Sequence, residues 1–365
     1  MNRRKCPQSI LPIQVLILNP YIPEYRFPIF NMIADYYDLT IAHSGESRTE
    51  PNIKFKQIII PRLKLGPFSC YRANINNLCK NFDIVISEGN IRYLDRNLLI
   101  INPFRKYKWI NWGIGVSASY NKQYDQNKRW DLFRNFIFQR ADAQVFYSEY
   151  PINKYISAGF DQESLFVANN TCSVIFDKTK VYKKSKFIFV GTVYKQKKLD
   201  ELLSAYLLYS QKSPTILPLE IIGDGDNLRN LQSWVKENKL TEHVTFHGSI
   251  YDQKCLERHH REAYASISPG QAGLSILTSM GFGTPYICRS DAITGGEIFN
   301  LENSNTGVRY ETKEDLVNTL YDITQNPQKY EIMGARARNY YLRKRMPQHM
   351  VSSIIEACKY VTSKC

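Results

Sequence analysis

A chain of 365 residues is long enough for two domains of ordinary size, and with 43% of them hydrophobic it can build real cores, which excludes extended disorder. A net charge of +14 suits anionic partners: phosphorylated ligands, anionic lipid head groups or nucleic acid. Nucleic acid is set aside, because the basic residues are spread over both halves and no recognition motif occurs.

The eight cysteines form no Cys-x-x-Cys pair, so neither a zinc site nor a redox motif is expected, and reduced thiols in a cytoplasmic protein are. The basic start, Met1-Asn-Arg-Arg-Lys, precedes an apolar run, Ile10–Leu18, that is short and holds Pro12 and Gln14. It reads as a first strand rather than a signal peptide. No run is long enough to span a bilayer as a helix, so any membrane contact would be peripheral.

Ile13–Leu18 is a continuous apolar run, as in a buried parallel strand. A loop rich in Tyr, Pro and Arg follows and carries Glu24, Tyr25 and Arg26. A helix is expected over Phe30–Tyr37, strands over Leu39–His43 and Phe55–Ile60, and a helix over Tyr71–Asn81. Asp83–Ser87 is a buried strand ending at Glu88-Gly89, and Glu24 and Glu88 are candidate acid/base groups. Leu98–Asn102 and Lys108–Asn111 read as strands, and Trp112-Gly113-Ile114-Gly115 as a glycine-broken turn. Helix Arg129–Arg140, strand Ala143–Tyr147, helix Pro151–Ala158 and the segment Phe166–Ala168 complete an α/β unit with a parallel sheet. Asp177–Lys186, polar and lysine-rich, reads as a linker.

A second αβ series follows. Strand Lys186–Val190 ends at Gly191, helix Leu199–Gln211 comes next, and strand Leu219–Ile222 ends at Gly223-Asp224-Gly225. Helix Asn227–Asn238, strand Val244–Phe246 and helix Cys255–Glu262 lead to a strand at Ala263–Ser268, which Pro269 and Gly270 break. Leu274, Leu277 and Met280 form one stripe of a helix that Gly283 and Pro285 stop. Strand Tyr286–Arg289 and helices Asp315–Thr324, Pro327–Tyr341 and Met350–Tyr360 end the chain. In the order strand, glycine loop, helix, strand, the N–H groups near Gly273–Ser275 point at whatever sits there, most often a phosphate. A plain tight turn is the alternative.

Five segments in order carry a resemblance: Phe187-Ile-Phe-Val-Gly, Lys197-Lys-Leu-Asp-Glu-Leu-Leu, Leu219-Glu-Ile-Ile-Gly-Asp-Gly, Val244-Thr-Phe-His-Gly and Ser268–Pro285. Together they resemble the retaining GT-B glycosyltransferases of family 4. Tyr25-Arg-Phe-Pro and Trp112-Gly-Ile-Gly look like bacterial members that build surface polysaccharides. The resemblance implies an α/β fold of two Rossmann-like domains with a cleft between them. Residues 1–178 would bind the acceptor, 179–346 the nucleotide sugar, and the last helix, in 347–365, would return to the first domain. It implies a nucleotide-diphosphate sugar as donor, a glycan or lipid-linked saccharide as acceptor, and no cofactor beyond these substrates. The diphosphate would meet Thr192, Lys197, Gly273, Leu274 and Ser275, with Lys197 as the catalytic cation that offsets charge on the leaving group. The donor sugar would lie at Gly270, Gln271 and Ala272, and the base and ribose at Gly248, Ser249, Ile250 and Thr278. Tyr25, Arg26, Trp112 and Gly113 would face the acceptor.

The chain departs from the family in four places. Two glutamates usually eight apart are Gly270 and Thr278 here, the arginine after the first strand's glycine is Thr192, and the histidine of the Trp-Gly loop is Ile114. A degenerate, non-catalytic member that binds a partner or glycan is therefore one alternative, and a nucleotide-sugar 2-epimerase of the same architecture is another. Asp224-Gly225-Asp226 resembles the Asp-x-Asp metal motif of a different glycosyltransferase fold. Its place after a strand explains it as a turn, so no divalent metal is expected. The basic cluster Arg336, Arg338, Arg343, Lys344 and Arg345 is either a solvated helix face or a contact for an anionic membrane surface, at the inner face of the plasma membrane.

Overall fold

The computed structural model describes residues 12–47, 52–119, 123–126, 129–302 and 304–364. The basic start, Cys6 and Cys365 lie outside the described residues, and the six described cysteines are free thiols. No helix among the described residues is long and apolar enough to cross a membrane.

Two parallel sheets organise the chain. The first contains β1 (Gln14–Leu18), β2 (Asp38–His43), β3 (Lys56–Ile59), β4 (Ile84–Glu88), β5 (Lys108–Gly113), β6 (Ala143–Phe146) and β7 (Leu165–Val167), in the order β7-β6-β5-β4-β1-β2-β3. The second contains β8 (Lys186–Val190), β9 (Leu219–Ile222), β10 (Val244–Gly248), β11 (Ala263–Ile267), β12 (Tyr286–Arg289) and β13 (Gly307–Tyr310), in the order β10-β9-β8-β11-β12-β13. Runs such as residues 15–18 and 187–189 are buried on both faces, which a parallel strand between helix layers requires. In each sheet the strand order reverses beside the first strand, β1 and β8, which pairs with neighbours on both sides. Crevices open at such switch points, beyond the carboxyl ends of the strands, and there α/β proteins bind ligands.

The helices are α1 (Phe27–Ala34), α2 (Ile75–Cys79), α3 (Leu94–Ile101), α4 (Asp131–Phe138) and α5 (Pro151–Ser157) in the first half. In the second they are α6 (Leu199–Lys212), α7 (Leu228–Glu237), α8 (Gln253–Arg261), α9 (Ser275–Phe282), α10 (Lys313–Gln325), α11 (Pro327–Lys344) and α12 (Pro347–Ser363). The last helix crosses back. Met350, Ile354, Cys358 and Val361 of α12 join the core under the first sheet, against α1.

Four elements of the first half differ from expectation. The run Leu98–Asn102 is not a strand but the end of α3, which buries Leu99 and Ile100 and turns Leu98 and Ile101 outward. The helix expected at Phe30–Tyr37 starts three residues earlier, because Pro28 occupies a first-turn position where its missing N–H costs nothing. The stretch Tyr71–Asn81 divides. Tyr71 closes an antiparallel hairpin, Arg62–Leu65 with Phe68–Tyr71, and the helix is only Ile75–Cys79, capped by the Asn74 side chain. Trp112 and Gly113, read as a turn, are the last two residues of β5.

Candidate active site

The second sheet's crevice is built around a buried lysine. After β8 the chain makes a short 3-10 turn, Lys195–Lys197, which folds Lys197 back over the strand end. Its ammonium lies 3.5 Å from where a Gly191 side chain would begin and 5.8 Å from the centre of the Tyr194 ring. Lys197 is 8% exposed. Burial alone pushes its pKa down to about 8, with no neighbouring carboxylate among the described residues to hold it up. A buried cation without a protein counter-charge is a receptor for an anion.

The glycine loop rests against this turn. Gly270 N–H donates to the Lys197 carbonyl at 3.0 Å, and the Gly270 carbonyl accepts from Ile293 N–H at 3.0 Å. A Cβ on Gly270 would stand 2.0 Å from the Gln196 carbonyl oxygen, so only glycine permits the approach. Helix α9 follows, its first backbone bond running from Ile276 N–H to the Gly273 carbonyl at 3.0 Å. The N–H groups of Gly273, Leu274 and Ser275 lie ahead of that bond, where a helix has no internal partner for them. The space a Gly273 side chain would fill is open. Helix start, open space and buried ammonium together suit a diphosphate. Thr192 is exposed at the end of β8, and Gly248 to Ile250 close β10, where the Gly248 carbonyl accepts from Gly223 N–H at 2.7 Å.

Packing constrains three of the expected contacts on this side. Gly270 brings no side chain to a donor sugar, and its N–H and carbonyl each already hold one backbone bond. Ala272 is fully buried in a core cluster with Cys172 and Ile276. The Thr278 hydroxyl donates back to the Leu274 carbonyl at 3.3 Å and lies 3.2 Å from the Cys172 sulfur, which leaves it to meet a ribose only as an acceptor. Gln271 stays partly exposed, its side-chain oxygen accepting from the Tyr194 hydroxyl. The Asp224 carboxylate accepts from Gly225 N–H at 2.7 Å, the bond that makes a turn. Among the described residues one trio has metal-ligand spacing, Glu220, His247 and His259, and the Lys186 ammonium already sits 2.8 Å from Glu220.

The first sheet's crevice opens into a cavity of about 1110 Å³. Tyr25, Arg26, Glu88 and Gly113 line it, with Glu88 accepting from the Tyr93 hydroxyl at 3.0 Å and from the Asn90 side chain at 3.2 Å. Trp112 does not line it. Its indole is buried beneath Arg26, with the guanidinium 5.0 Å from the ring centre, and packs edge-on against Phe30 and Tyr147. It therefore supports Arg26 instead of facing an acceptor.

Arg26 also connects the two crevices. It is 4% exposed and donates to the Asn170 side-chain oxygen at 2.7 Å. The Asn170 amide in turn donates to the buried carboxylate of Glu297, which Gly295 N–H holds at 2.8 Å. Sequence reasoning missed Glu297. Its signal was the pair Gly295-Gly296 just before an acid, where Gly296 has a φ of 117° that turns the carboxylate inward. The cluster at 336–345 is not one face. Arg338 stacks on Phe176, 3.3 Å from the ring centre, and Arg345 bonds Asn300, which leaves Arg336, Arg343 and Lys344 exposed.

Known proteins share this fold. Residues 173–340 match the model of the family described as Glycosyl transferases group 1. The alpha-monoglucosyldiacylglycerol synthase of Acholeplasma laidlawii is 24% identical over 156 residues, 42% of this chain and 37% of that protein, so the match spans well under half of that relative. A glycosyltransferase from Rickettsia africae superposes with a TM-score of 0.71 at 14% identity, covering 97% of this chain and 100% of the other. Anabaena HepE, solved in complex with UDP and glucose, gives 0.68 at 12% identity over 95% and 99% of the two chains. At such identities the likeness is one of fold, two Rossmann-like domains in the GT-B arrangement. Residues 173–340 are therefore similar to group 1 of the glycosyl transferases, in a chain with the two-domain GT-B fold.

Proposed function

We propose that the chain is a glycosyltransferase. It moves a sugar from a nucleotide-diphosphate donor to a glycan or lipid-linked saccharide, with retention and without a metal ion. The setting is the assembly of bacterial surface polysaccharide (capsule, O-antigen or exopolysaccharide), in the cytoplasm at the inner face of the plasma membrane. One observation carries the reading: the unpaired, buried ammonium of Lys197 lies against a glycine loop that opens a helix. As the glycosidic bond breaks, negative charge grows on the diphosphate. Lys197 and the N–H groups of α9 are already oriented to stabilise it, so no metal is needed for that task. The UDP bound by Anabaena HepE makes uridine diphosphate sugars the first donors to test.

The experiment is a screen of nucleotide sugars for thermal stabilisation, followed by nucleotide release with saccharide acceptors. Saturating donor at 100 times its Kd should add about 2.7 kcal/mol of apparent stability. A protein that no nucleotide stabilises would sink the reading. A second reading has its own observation: the place of the usual sugar-contacting glutamate is closed by the Gln196 carbonyl, as a non-catalytic binder would tolerate. Nucleotide binding without turnover would favour that binder, and recovery of an epimerised nucleotide sugar would favour the 2-epimerase.

A further inference from the structure

Helices α3 and α4 carry apolar side chains on their exposed faces as well as on their buried ones. On α3, Arg96 and Asn97 are buried while Leu94, Leu98 and Ile101, one helical stripe, are exposed. On α4, Arg134 is buried and paired with Asp131 at 2.9 Å, while Leu132, Phe133 and Phe136 are exposed. Leu132 is 87% exposed, and Phe104, just after α3, is 88% exposed. The two helices touch, and the hairpin of residues 62–71, bridged to α3 through Ser69 and Tyr93, adds Leu63, Leu65 and Phe68 to the surface. A helix facing water puts its polar side outward. A contiguous apolar surface of this kind marks an interaction site.

The charges around it have one sign. In residues 92–106 and 129–140 the exposed charged side chains are Arg92, Lys106, Arg129 and Arg140, all basic. The acids of the two helices are turned inward, Asp95 onto Tyr71 N–H at 2.8 Å and Asp131 onto Arg134. Arg140 lies 3.8 Å from the centre of the Phe136 ring and Arg129 5.8 Å from that of Trp130, so cationic heads edge the apolar stripe. Leu94, Leu98, Trp130 and Phe133 also line the mouth of the cavity that holds Glu88 and Arg26, so the surface runs into the first crevice.

We propose that this face seats the protein on an anionic bilayer. The apolar stripes of α3 and α4 would enter the boundary between head groups and acyl chains, with the basic residues at the lipid phosphates. A second copy of the chain would bring like charges together, which disfavours self-association as the use of this face. The cavity then opens at the membrane surface, and a lipid-linked saccharide can enter without leaving it. That last clause rests on the transferase reading, whereas the docking does not.

The test is sedimentation of the full chain with vesicles of phosphatidylcholine, alone or with phosphatidylglycerol. The protein should bind the anionic vesicles, and added salt should weaken binding. The triple variant Phe104→Glu, Leu132→Glu, Phe136→Glu should bind at least about tenfold more weakly. The double variant Lys106→Glu, Arg140→Glu should lose the preference for anionic lipid. None of these residues lines the cavity, so stabilisation by UDP should persist in both variants and show that they fold. Wild-type protein that stays in solution with anionic vesicles, or a triple variant that binds as wild type does, would overturn the proposal. So would a concentration-dependent dimer that the triple variant dissolves, in the absence of vesicle binding. Vesicle binding without any nucleotide binding would leave the docking standing and remove the transferase reading.

Discussion

Replacing Lys197 with methionine should stabilise the ligand-free protein and remove donor binding in one step. Burial takes the ammonium from its ordinary 10.5 to about 8, which at ~1.4 kcal/mol per pH unit is a cost of about 3 kcal/mol. The value is lower in the folded protein than in the unfolded chain. Below about pH 8 the cost is therefore fully present. Between about 8 and 10.5 the unfolded chain binds more protons, so wild-type stability rises with pH, and above 10.5 the cost is gone. Methionine keeps most of the stem and carries no charge. Near pH 7 the variant should melt several degrees higher, toward the roughly 2–4 °C per kcal/mol usual for domains of this size, and the advantage should vanish by about pH 10.5. Stabilisation by UDP should be lost, and transfer in this variant or in Lys197→Ala should fall by roughly a hundredfold or more. Wild-type affinity for UDP should decline as pH rises through about 8, where the free ammonium discharges. Lys197→Arg, charged throughout, should flatten that decline. Differential scanning fluorimetry with and without UDP across this range reads the changes in stability and binding, and UDP release with an acceptor reads transfer. A methionine variant that melts no higher than wild type and still binds UDP would refute the reasoning, leaving Lys197 a lysine packed for its stem.

Three further outcomes follow from the same loop and its neighbours. Gly273→Val should weaken UDP binding at least about tenfold with little change in circular dichroism or Tm, because its side chain enters open space and the backbone there is not left-handed; unchanged affinity would make the loop only a turn. Gly270→Glu restores the family's carboxylate, yet it should lower Tm and donor affinity together, since its Cβ would meet the Gln196 carbonyl at 2.0 Å; a gain in activity would mean that the Lys195–Lys197 turn moves aside easily. Transfer should survive excess EDTA and the substitutions Asp224→Asn and Asp226→Asn, and loss in all three, restored by magnesium or manganese, would assign the diphosphate to a metal.

The parts of the fold that the chain announces are those where local and tertiary demands agree. Residues 187–189 and 219–222 are β-prone and buried between helix layers, so their apolar runs and their strands coincide. Helix α3 breaks that agreement. Leu98 to Ile101 form an apolar run because one side meets the core and the other a surface that is itself apolar, so the run looks like a strand. The close backbone approach at Gly270 was legible because it restricts the residue type. The places of Trp112 and Ala272 were not, because whether they face a cleft or a core depends on packing by distant segments, Arg26 over Trp112 and Cys172 beside Ala272. The Arg26–Asn170–Glu297 chain joins three separated stretches, and no local pattern encodes it.

The absent glutamate and the unpaired lysine are two sides of one arrangement. A side chain at position 270 would collide with the turn that carries Lys197, so glycine lets that turn close and desolvates the ammonium. With a carboxylate beside it, the lysine would be paired, its pKa would stay high, and the diphosphate would compete with a protein anion for the same cation. Without one, the charge stays uncompensated until an anion arrives. The acid that the structure does bring between the crevices, Glu297, is held by Asn170 and Gly295 and contributes nothing to the Lys197 titration. On the proposed reading, stability of the empty protein and affinity for the donor are drawn from the same uncompensated charge. Any substitution that neutralises or pairs Lys197 must raise the first and lower the second, so the two measurements move in opposite directions only if the anion site is the one described.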